Sequence, residues 1–185
     1  AARFNRGCLY LEQNNLPGAI SELTTYVTHR PNDAQGWLKL ATPQLRARLL
    51  DPADRGFQRV LEFSPPPPMA AEAFIGLGVS QALRRKPAYA FRHFHSALRW
   101  VTNHPAALFN QAVVAQTLLN DRPLALQRYR AYVSALGTNS PPTAVLSIIA
   151  QLEVEAQARA AATNHTTSAS TNAPGAMGWS PPTTA

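Results

Sequence analysis

The chain has 185 residues, of which 45% are apolar and 15% are charged, which is enough apolar content for one ordinary domain with its own core. Its net charge of +7 would suit an acidic partner such as nucleic acid or anionic lipid, although the basic residues are scattered along the chain. The single cysteine, Cys8, excludes an intrachain disulfide and a cysteine-rich zinc site, and no apolar run reaches the roughly 20 residues of a membrane span.

Small residues recur along the chain with a period of about 35 residues. One series has spacings of 34, 37 and 34 and consists of Gly7, Ala41, Gly78 and Ala112. A second series has spacings of 34, 37 and 35 and consists of Ala19, Ala53, Ala90 and Ala125. Both series lengthen at the same place, where the proline-rich stretch SPPPPMA at 64–70 can absorb the additional residues. The sequence therefore predicts four stacked units, at about 1–33, 34–67, 68–104 and 105–137.

The first unit shows the pattern of two amphipathic helices. Apolar and small residues in 4–11 have helical spacing, and the stretch NNLPG at 14–18 then interrupts it. Asn15 has a side chain suited to a helix N-cap, and Pro17 suits the first turn of the helix that follows. The second helix is expected to end near Pro31.

The second unit repeats this plan around a break at LLDP, 49–52. Asp51 and Pro52 are the expected cap and first-turn residues of its second helix. Pro43 falls inside the expected first helix, where it removes a backbone hydrogen bond, so a kink or an early end is expected there. The third and fourth units break at RRKP and NDRP, and the basic residues of RRKP suit the end of a helix because of its dipole.

Motifs in these units resemble the tetratricopeptide repeat. They are Trp37-x-x-Leu40-Ala41, Phe74-x-x-Leu77-Gly78, the alanines Ala19, Ala53 and Ala90, the aromatics Phe57, Phe94 and Tyr129, and the closing prolines Pro31 and Pro65. Each motif is weak alone, but four units in phase are a strong signal. The resemblance covers about 1–137 and implies an all-α, right-handed α-solenoid of four helix–turn–helix repeats.

A further helix is predicted after the fourth unit. Apolar residues at helical spacing follow TNSPP and comprise Val145, Ile148, Ile149 and Leu152. Such a helix, within 138–162, would cap the solenoid by covering the apolar face of its last unit. From Thr163 to residue 185 the chain is rich in Thr, Ser, Pro and Gly, which predicts a disordered tail or linker.

The patterns expected of catalytic or metal sites are missing from the sequence. His93 and His95 are two residues apart on a helix and therefore point to nearly opposite sides, unlike the i, i+4 pairs that chelate a metal. The ten acidic residues are dispersed, and neither a G-x-S-x-G stretch nor a glycine-rich phosphate loop occurs. The sequence therefore predicts no catalysis, no cofactor and no metal, and Cys8 is expected to be a buried free thiol with a packing role.

The resemblance also implies a binding surface. Tetratricopeptide stacks bind extended peptides or helices on their concave face, mainly through the first helix of each unit. The matching apolar and neutral positions are Phe4, Cys8 and Leu11, then Leu38, Thr42 and Leu45, then Ile75, Val79 and Ala82, and finally Phe109, Val113 and Gln116; Lys39, Arg46 and Asn110 could add polar contacts. Phe4 and Cys8 are apolar where chaperone-tail clamps have polar groups, which favours an amphipathic helix docked by apolar anchors.

The sequence thus predicts a non-catalytic scaffold that binds a protein or peptide partner, with Phe4, Leu38, Ile75 and Phe109 as the hypothesised apolar contacts. Two alternatives stay open: a basic nucleic-acid-binding repeat protein, and a regulatory or substrate-docking segment of a larger enzyme. Self-association and a groove filled by the chain's own C-terminal helix are open as well. The first residues lack an initiator methionine and a signal-peptide pattern, which favours a processed product or a piece of a longer protein; the compartment is left open between the cytoplasm and a larger cell-envelope protein.

Overall fold

The computed structural model describes the backbone of residues 2–170 and the side chains of residues 2–161. That part of the chain contains nine α-helices and no strand. In chain order they are α1 Ala2–Glu12, α2 Leu16–His29, α3 Ala34–Arg46, α4 Leu50–Glu62, α5 Pro67–Leu83, α6 Pro87–Trp100, α7 Pro105–Thr117, α8 Arg122–Ala135 and α9 Thr143–Ser170. None of the helices described combines the length and the apolar character needed to cross a bilayer.

The first eight helices pack as four successive pairs, α1 with α2, α3 with α4, α5 with α6, and α7 with α8. Each pair also packs against the next, through contacts of α2 with α3, α4 with α5, and α6 with α7. In addition, the first helix of each pair approaches the first helix of the next pair, so that α1, α3, α5 and α7 form one continuous face. This is the predicted all-α solenoid of four helix–turn–helix units.

Side-chain caps fix the start of three helices. The Asn15 side chain accepts a hydrogen bond from the Gly18 amide at 3.0 Å, which confirms the expected cap of α2, and Asp33 and Asp121 cap α3 and α8 in the same way. The expected cap at Asp51 is wrong. Helix α4 starts earlier, with Leu49 at the N-cap and no side-chain hydrogen bond there. Asp51 therefore lies in the first turn, where the positive end of the helix dipole stabilises its negative charge.

Pro43 does not stop helix α3 at once. The helix continues to Arg46, and Pro43 is buried within it. The turn that follows bonds the Leu49 amide to the Gln44 carbonyl at 2.8 Å, and α4 begins one residue later. The proline lies in the last turn of α3, where the helix loses the hydrogen bond that a residue 43 amide would donate to the Lys39 carbonyl, and only three more helical residues follow.

A third periodic feature lies in the turns between paired helices. Each of these turns contains one non-glycine residue with positive φ: Asn14 (57°), Arg48 (62°), Arg85 (58°) and Asn120 (51°). The left-handed region is unfavourable for residues that carry a side chain, and least so for asparagine. These four residues occupy equivalent positions in the four units. The first three turns share one hydrogen-bond pattern, in which the residue after the positive-φ residue bonds the carbonyl five positions earlier, whereas the fourth turn bonds Asp121 to Ala115, six positions earlier.

The core depends on close approach of helices through small residues. A Cβ atom placed on Gly76 would lie 2.2 Å from the Phe57 ring, and one placed on Gly78 would lie 2.4 Å from the Phe94 ring. Both aromatic rings are almost fully buried. Helix α5 therefore packs α4 and α6 on opposite sides with its backbone close to their rings, in agreement with the packing role that the repeat pattern implies for these residues.

Helix α9 closes the C-terminal end. Val145 and Leu152 are 4% and 3% exposed and belong to the cluster that contains Leu126 and Tyr129 of α8. The Arg130 guanidinium also contacts the Glu153 carboxylate at 2.6 Å. The helix continues to Ser170, beyond the predicted end at 162. The remainder of the predicted tail, 171–185, lies outside the described residues.

Candidate partner-binding cleft

A cleft of about 350 Å³ lies on the face formed by the first helices, between α3 and α5 and beside the start of α7. Six predicted groove residues line it: Leu38, Thr42, Leu45, Arg46, Ile75 and Val79. They come from two helices of successive units, and their spacing of three or four residues places them on one side of each helix. The structure therefore brings six of the eight predicted residues of the second and third units together.

The lining of this cleft is mainly apolar. Leu38 is nearly buried, and Leu45, Ile75 and Val79 are partly exposed. The Thr42 hydroxyl, between them, donates to the Leu38 carbonyl at 2.9 Å. Because that donor already has an acceptor within its own helix, Thr42 adds little unsatisfied polarity to the cleft.

Two charged side chains of opposite sign complete the lining. Arg46 is the last residue of α3, and its guanidinium donates to the neutral Asn14 side-chain oxygen at 2.6 Å. Glu72 is near the start of α5. Neither Arg46 nor Glu72 forms an ion pair within the described part of the chain. Since successive first helices run in the same direction, the cleft is positive at one end and negative at the other.

The predicted residues of the first unit lie outside this cleft. The Phe4 and Tyr26 ring centroids are 5.1 Å apart, and Leu11 packs against the cluster that includes Leu23. Cys8 is half-buried, so the expectation of a buried thiol is wrong. Lys39, which belongs to the second unit, is also half-buried and does not line the cleft. Phe4 and Leu11 thus stabilise the pairing of α1 with α2 and α3.

The predicted residues of the fourth unit pack mostly against their own partner helix. The Phe109 ring lies 6.1 Å from the Tyr129 ring. Gln116 accepts a hydrogen bond from the Tyr129 hydroxyl at 2.8 Å, and burial raises the pKa of that hydroxyl. The Asn110 amide donates to the Ala106 carbonyl of its own helix at 2.7 Å. Val113 is half-buried in the same cluster, and Ala82 in the third unit packs near Phe94.

Sequence reasoning missed five lining residues: Phe57, Glu72, Gly76, His104 and Ala106. Glu72 and Ala106 could have been found, because each precedes a predicted groove residue by three positions and so repeats the same register. Phe57 reaches the cleft from a second helix, where only its packing role was expected. His104 precedes α7 at its N-cap position, and only the stacking of units brings it to this cleft.

The other chemistry-bearing side chains do not gather into a site. Within residues 2–161 no group of three histidine, cysteine or acidic side chains could hold a metal ion. His93 is half-buried and stacks on Phe74 with ring centroids 6.4 Å apart. His95 is exposed. The two histidines therefore diverge, as their spacing predicts.

Part of the positive charge is neutralised by ion pairs within the described residues. Six arginines form ion pairs with the protein's own carboxylates: Arg3, Arg6, Arg59, Arg84, Arg122 and Arg130. Arg6 holds the pKa of the Glu22 carboxyl below its usual value, and Arg122 does the same for Glu155. Arginines that are paired in this way are less available for phosphate groups, which weakens the nucleic-acid alternative.

No family profile matches the sequence, and no curated protein matches it. Solved structures match it in fold. The crystal structure of MamA protein has a TM-score of 0.66 at 16% identity, over 90% of this chain and 87% of that chain. A thermophilic TPR protein in Thermus thermophilus has a TM-score of 0.66 at 18% identity, over 83% of this chain and 81% of that chain. The chain has a tetratricopeptide-like fold. The resemblance read from the repeat motifs is therefore confirmed at the level of architecture, an all-α solenoid of helical repeats.

Proposed function

We propose that this chain is a non-catalytic scaffold that binds a protein partner, presented as an amphipathic helix or extended peptide, in the cleft between α3 and α5. The observation that carries this proposal is the convergence of six predicted groove residues on one cleft of about 350 Å³. In the described part of the chain, helix α9 packs against α8 and does not approach α3 or α5. The described part of the C-terminal helix therefore does not compete for this cleft.

The apolar lining supplies the affinity in this proposal. A partner side chain that covers the exposed parts of Leu45, Ile75 and Val79 removes apolar surface from water, at about 25 cal/mol for each Å². The charges at the two ends supply orientation. A basic residue of the partner would lie near Glu72 and an acidic one near Arg46, so that the partner binds in one direction.

The proposal is tested with a single charge placed in the cleft. Thr42→Glu puts a carboxylate among the apolar residues, and Thr42 is exposed, so the fold should tolerate it. Gln127→Glu makes the same change of charge at an exposed position of α8 and is the matched control. Proteins captured from cell extract by the wild-type chain are quantified by mass spectrometry against both variants. A true partner loses at least about tenfold in capture with Thr42→Glu, equivalent to about 1.4 kcal/mol, and none with Gln127→Glu.

A different result would contradict the proposal. If each captured protein responds equally to the two variants, the cleft between α3 and α5 is not the binding surface. If the chain instead binds duplex DNA or RNA with an affinity that falls steeply with salt, the nucleic-acid alternative replaces it.

A further inference from the structure

A second and larger cleft, of about 490 Å³, lies between α2 and α4 of the first two units, with α3 as its floor. Six of its ten lining residues lie on the second helices of these units, whereas the cleft proposed above is formed mainly by first helices. None of its lining residues is among the predicted groove residues. Its volume lies within the range of about 300–1,000 Å³ that ligand sites in proteins occupy.

The floor and one wall of this outer cleft are apolar. Val27 and Leu40 line it and are each 3% exposed. The Trp37 ring lies beside them, and its indole nitrogen donates to the Pro31 carbonyl at 2.8 Å. Because this hydrogen bond fixes the ring against the end of α2, the apolar wall is formed before any partner arrives, which lowers the entropic cost of binding.

Two arginines of α4 stand over this apolar floor. Arg55 and Arg59 are four residues apart and therefore lie on one side of the helix. Arg59 contacts the Glu62 carboxylate at 2.5 Å and lies over the Phe63 ring at 4.8 Å. Arg55 is exposed and forms no ion pair with any described residue. A guanidinium with free donors binds a carboxylate through two parallel hydrogen bonds.

A polar group in the same cleft also lacks a partner. The Gln44 side-chain oxygen is buried and accepts no hydrogen bond from the described residues. Buried acceptors of this kind are normally satisfied, and a backbone amide of a bound peptide would supply the missing donor. A peptide also fits the shape, because Thr24, Thr28 and Arg55 are exposed along the open side of the cleft, where a chain could enter and leave.

We propose that this outer cleft is a second docking site, and that it binds a peptide segment of a partner protein with a carboxylate beside a large apolar side chain. The apolar side chain occupies the space over Leu40 and beside Trp37, and the carboxylate pairs with Arg55. A second site on a different face lets one scaffold hold two partners at once.

Trp37 reports on this site directly. A background with Trp100→Phe and Trp179→Phe leaves Trp37 as the sole tryptophan. The probes are two capped peptides with one phenylalanine, flanked by glutamates in the first and by lysines in the second. The glutamate peptide is expected to produce a saturable change in Trp37 emission, and the lysine peptide none. Arg55→Glu should weaken the glutamate peptide at least tenfold, whereas Arg99→Glu, an equal change of charge at an exposed residue of α6, should not.

Further variants separate this site from its alternatives. Thr24→Phe fills the cleft from an exposed position and should abolish the response, while Thr42→Glu in the other cleft should leave it unchanged. The proposal is overturned if the lysine peptide binds equally well, if Arg55→Glu and Arg99→Glu have equal effects, or if no saturable response occurs up to about 2 mM peptide. Binding of phenylacetate as tight as that of the glutamate peptide would also overturn it, because the site would then hold a small molecule. Circular dichroism checks that each variant is folded.

Discussion

The centre of the solenoid and its C-terminal end are held together by different forces. At the centre, α5 buries small residues against the rings of Phe57 and Phe94. At the end, α9 contributes two largely buried side chains, Val145 and Leu152, and two ion pairs with α8. Close packing is sensitive to single atoms, whereas partly exposed ion pairs stabilise weakly and are screened by salt. The centre should therefore open only with global unfolding, and the end should open locally.

The largest effect is expected from a single methyl group at the centre. In Gly76→Ala the new Cβ would lie 2.2 Å from the Phe57 ring, so the overpacked core should lose about 3 kcal/mol of unfolding free energy. Urea denaturation followed by circular dichroism measures the loss. The matched change at the N-terminal end, Gly7→Ala, meets the more adaptable Leu23 side chain at 2.6 Å and should cost less. Equal losses would show that the Leu23 side chain accommodates a new methyl group no better than the Phe57 ring does.

A cycle with Phe57→Leu sharpens this prediction. If the clash is with the ring, the second substitution should recover part of the loss caused by Gly76→Ala, with a coupling energy of about 1 kcal/mol or more. Additive effects would show that the alanine acts through something other than Phe57.

At the C-terminal end, Leu152→Ala removes one of the two buried anchors of α9. The expected loss is about 2 kcal/mol, at the lower end for a buried leucine, because in the described part of the chain α9 lies at the end of the stack and packs mainly against α8. Hydrogen exchange should show faster exchange for α9 amides and unchanged protection in α5. Exchange that rises equally in both helices would mean that the end and the centre unfold as one unit.

A smaller, pH-dependent effect is expected at His93, which packs beside the centre. Burial lowers the pKa of His93, while Asp54 raises it and Arg92 lowers it further. The pKa of His93 in the folded protein therefore lies below its value of about 6.5 in the unfolded chain. Because the unfolded chain binds more protons, stability is lost as the pH falls through the range near 6.5. His93→Gln should therefore reduce the drop in Tm between about pH 7.5 and pH 5.5 by about 1–2 °C. An unchanged drop would show that other groups control it.

The smallest effect should come from the ion pair of Glu155 with Arg122. Glu155→Gln removes a charge that ties α9 to α8, so α9 amides should exchange a few-fold faster, and added salt should reproduce this in the wild type. The control is Glu62→Gln, which breaks an ion pair within α4 and should leave α9 unaffected. If α9 responds to neither variant, the ion pair of Glu155 with Arg122 does not hold α9 against α8.

Much of the fold was predictable because it repeats. Small residues at the helix contacts, such as Gly78 and Ala112, recur in phase with the aromatic positions. Each of the four units therefore shows the same need for close helix packing in its sequence. The start of α4 was misplaced by two residues, because an aspartate such as Asp51 is common both at the N-cap and in the first turn of a helix. The turn geometry decides between cap and first turn, and single residues do not reveal it.

The candidate cleft was predictable only in part. Residues that face the cleft and residues that pack inside a unit share the same helical register, so sequence spacing does not distinguish Ile75 from Phe109. The neighbouring helix determines whether such a residue is packed or faces the cleft. Phe109 contacts the aromatic rings of α8, whereas Ile75 lines a cleft beside α3. His104 and Arg55 were not anticipated at all, because their positions depend on how one unit sits against another.

The left-handed turn residues have a practical consequence for work on this protein. Arg48 and Arg85 hold a conformation that costs a residue with a side chain about 1–2 kcal/mol and costs glycine little. Neither arginine lines the two clefts described above. Replacing both by glycine should raise the melting temperature while leaving the clefts unchanged. The double glycine variant would thus be a more stable background, in which destabilising cleft variants stay folded during a binding experiment.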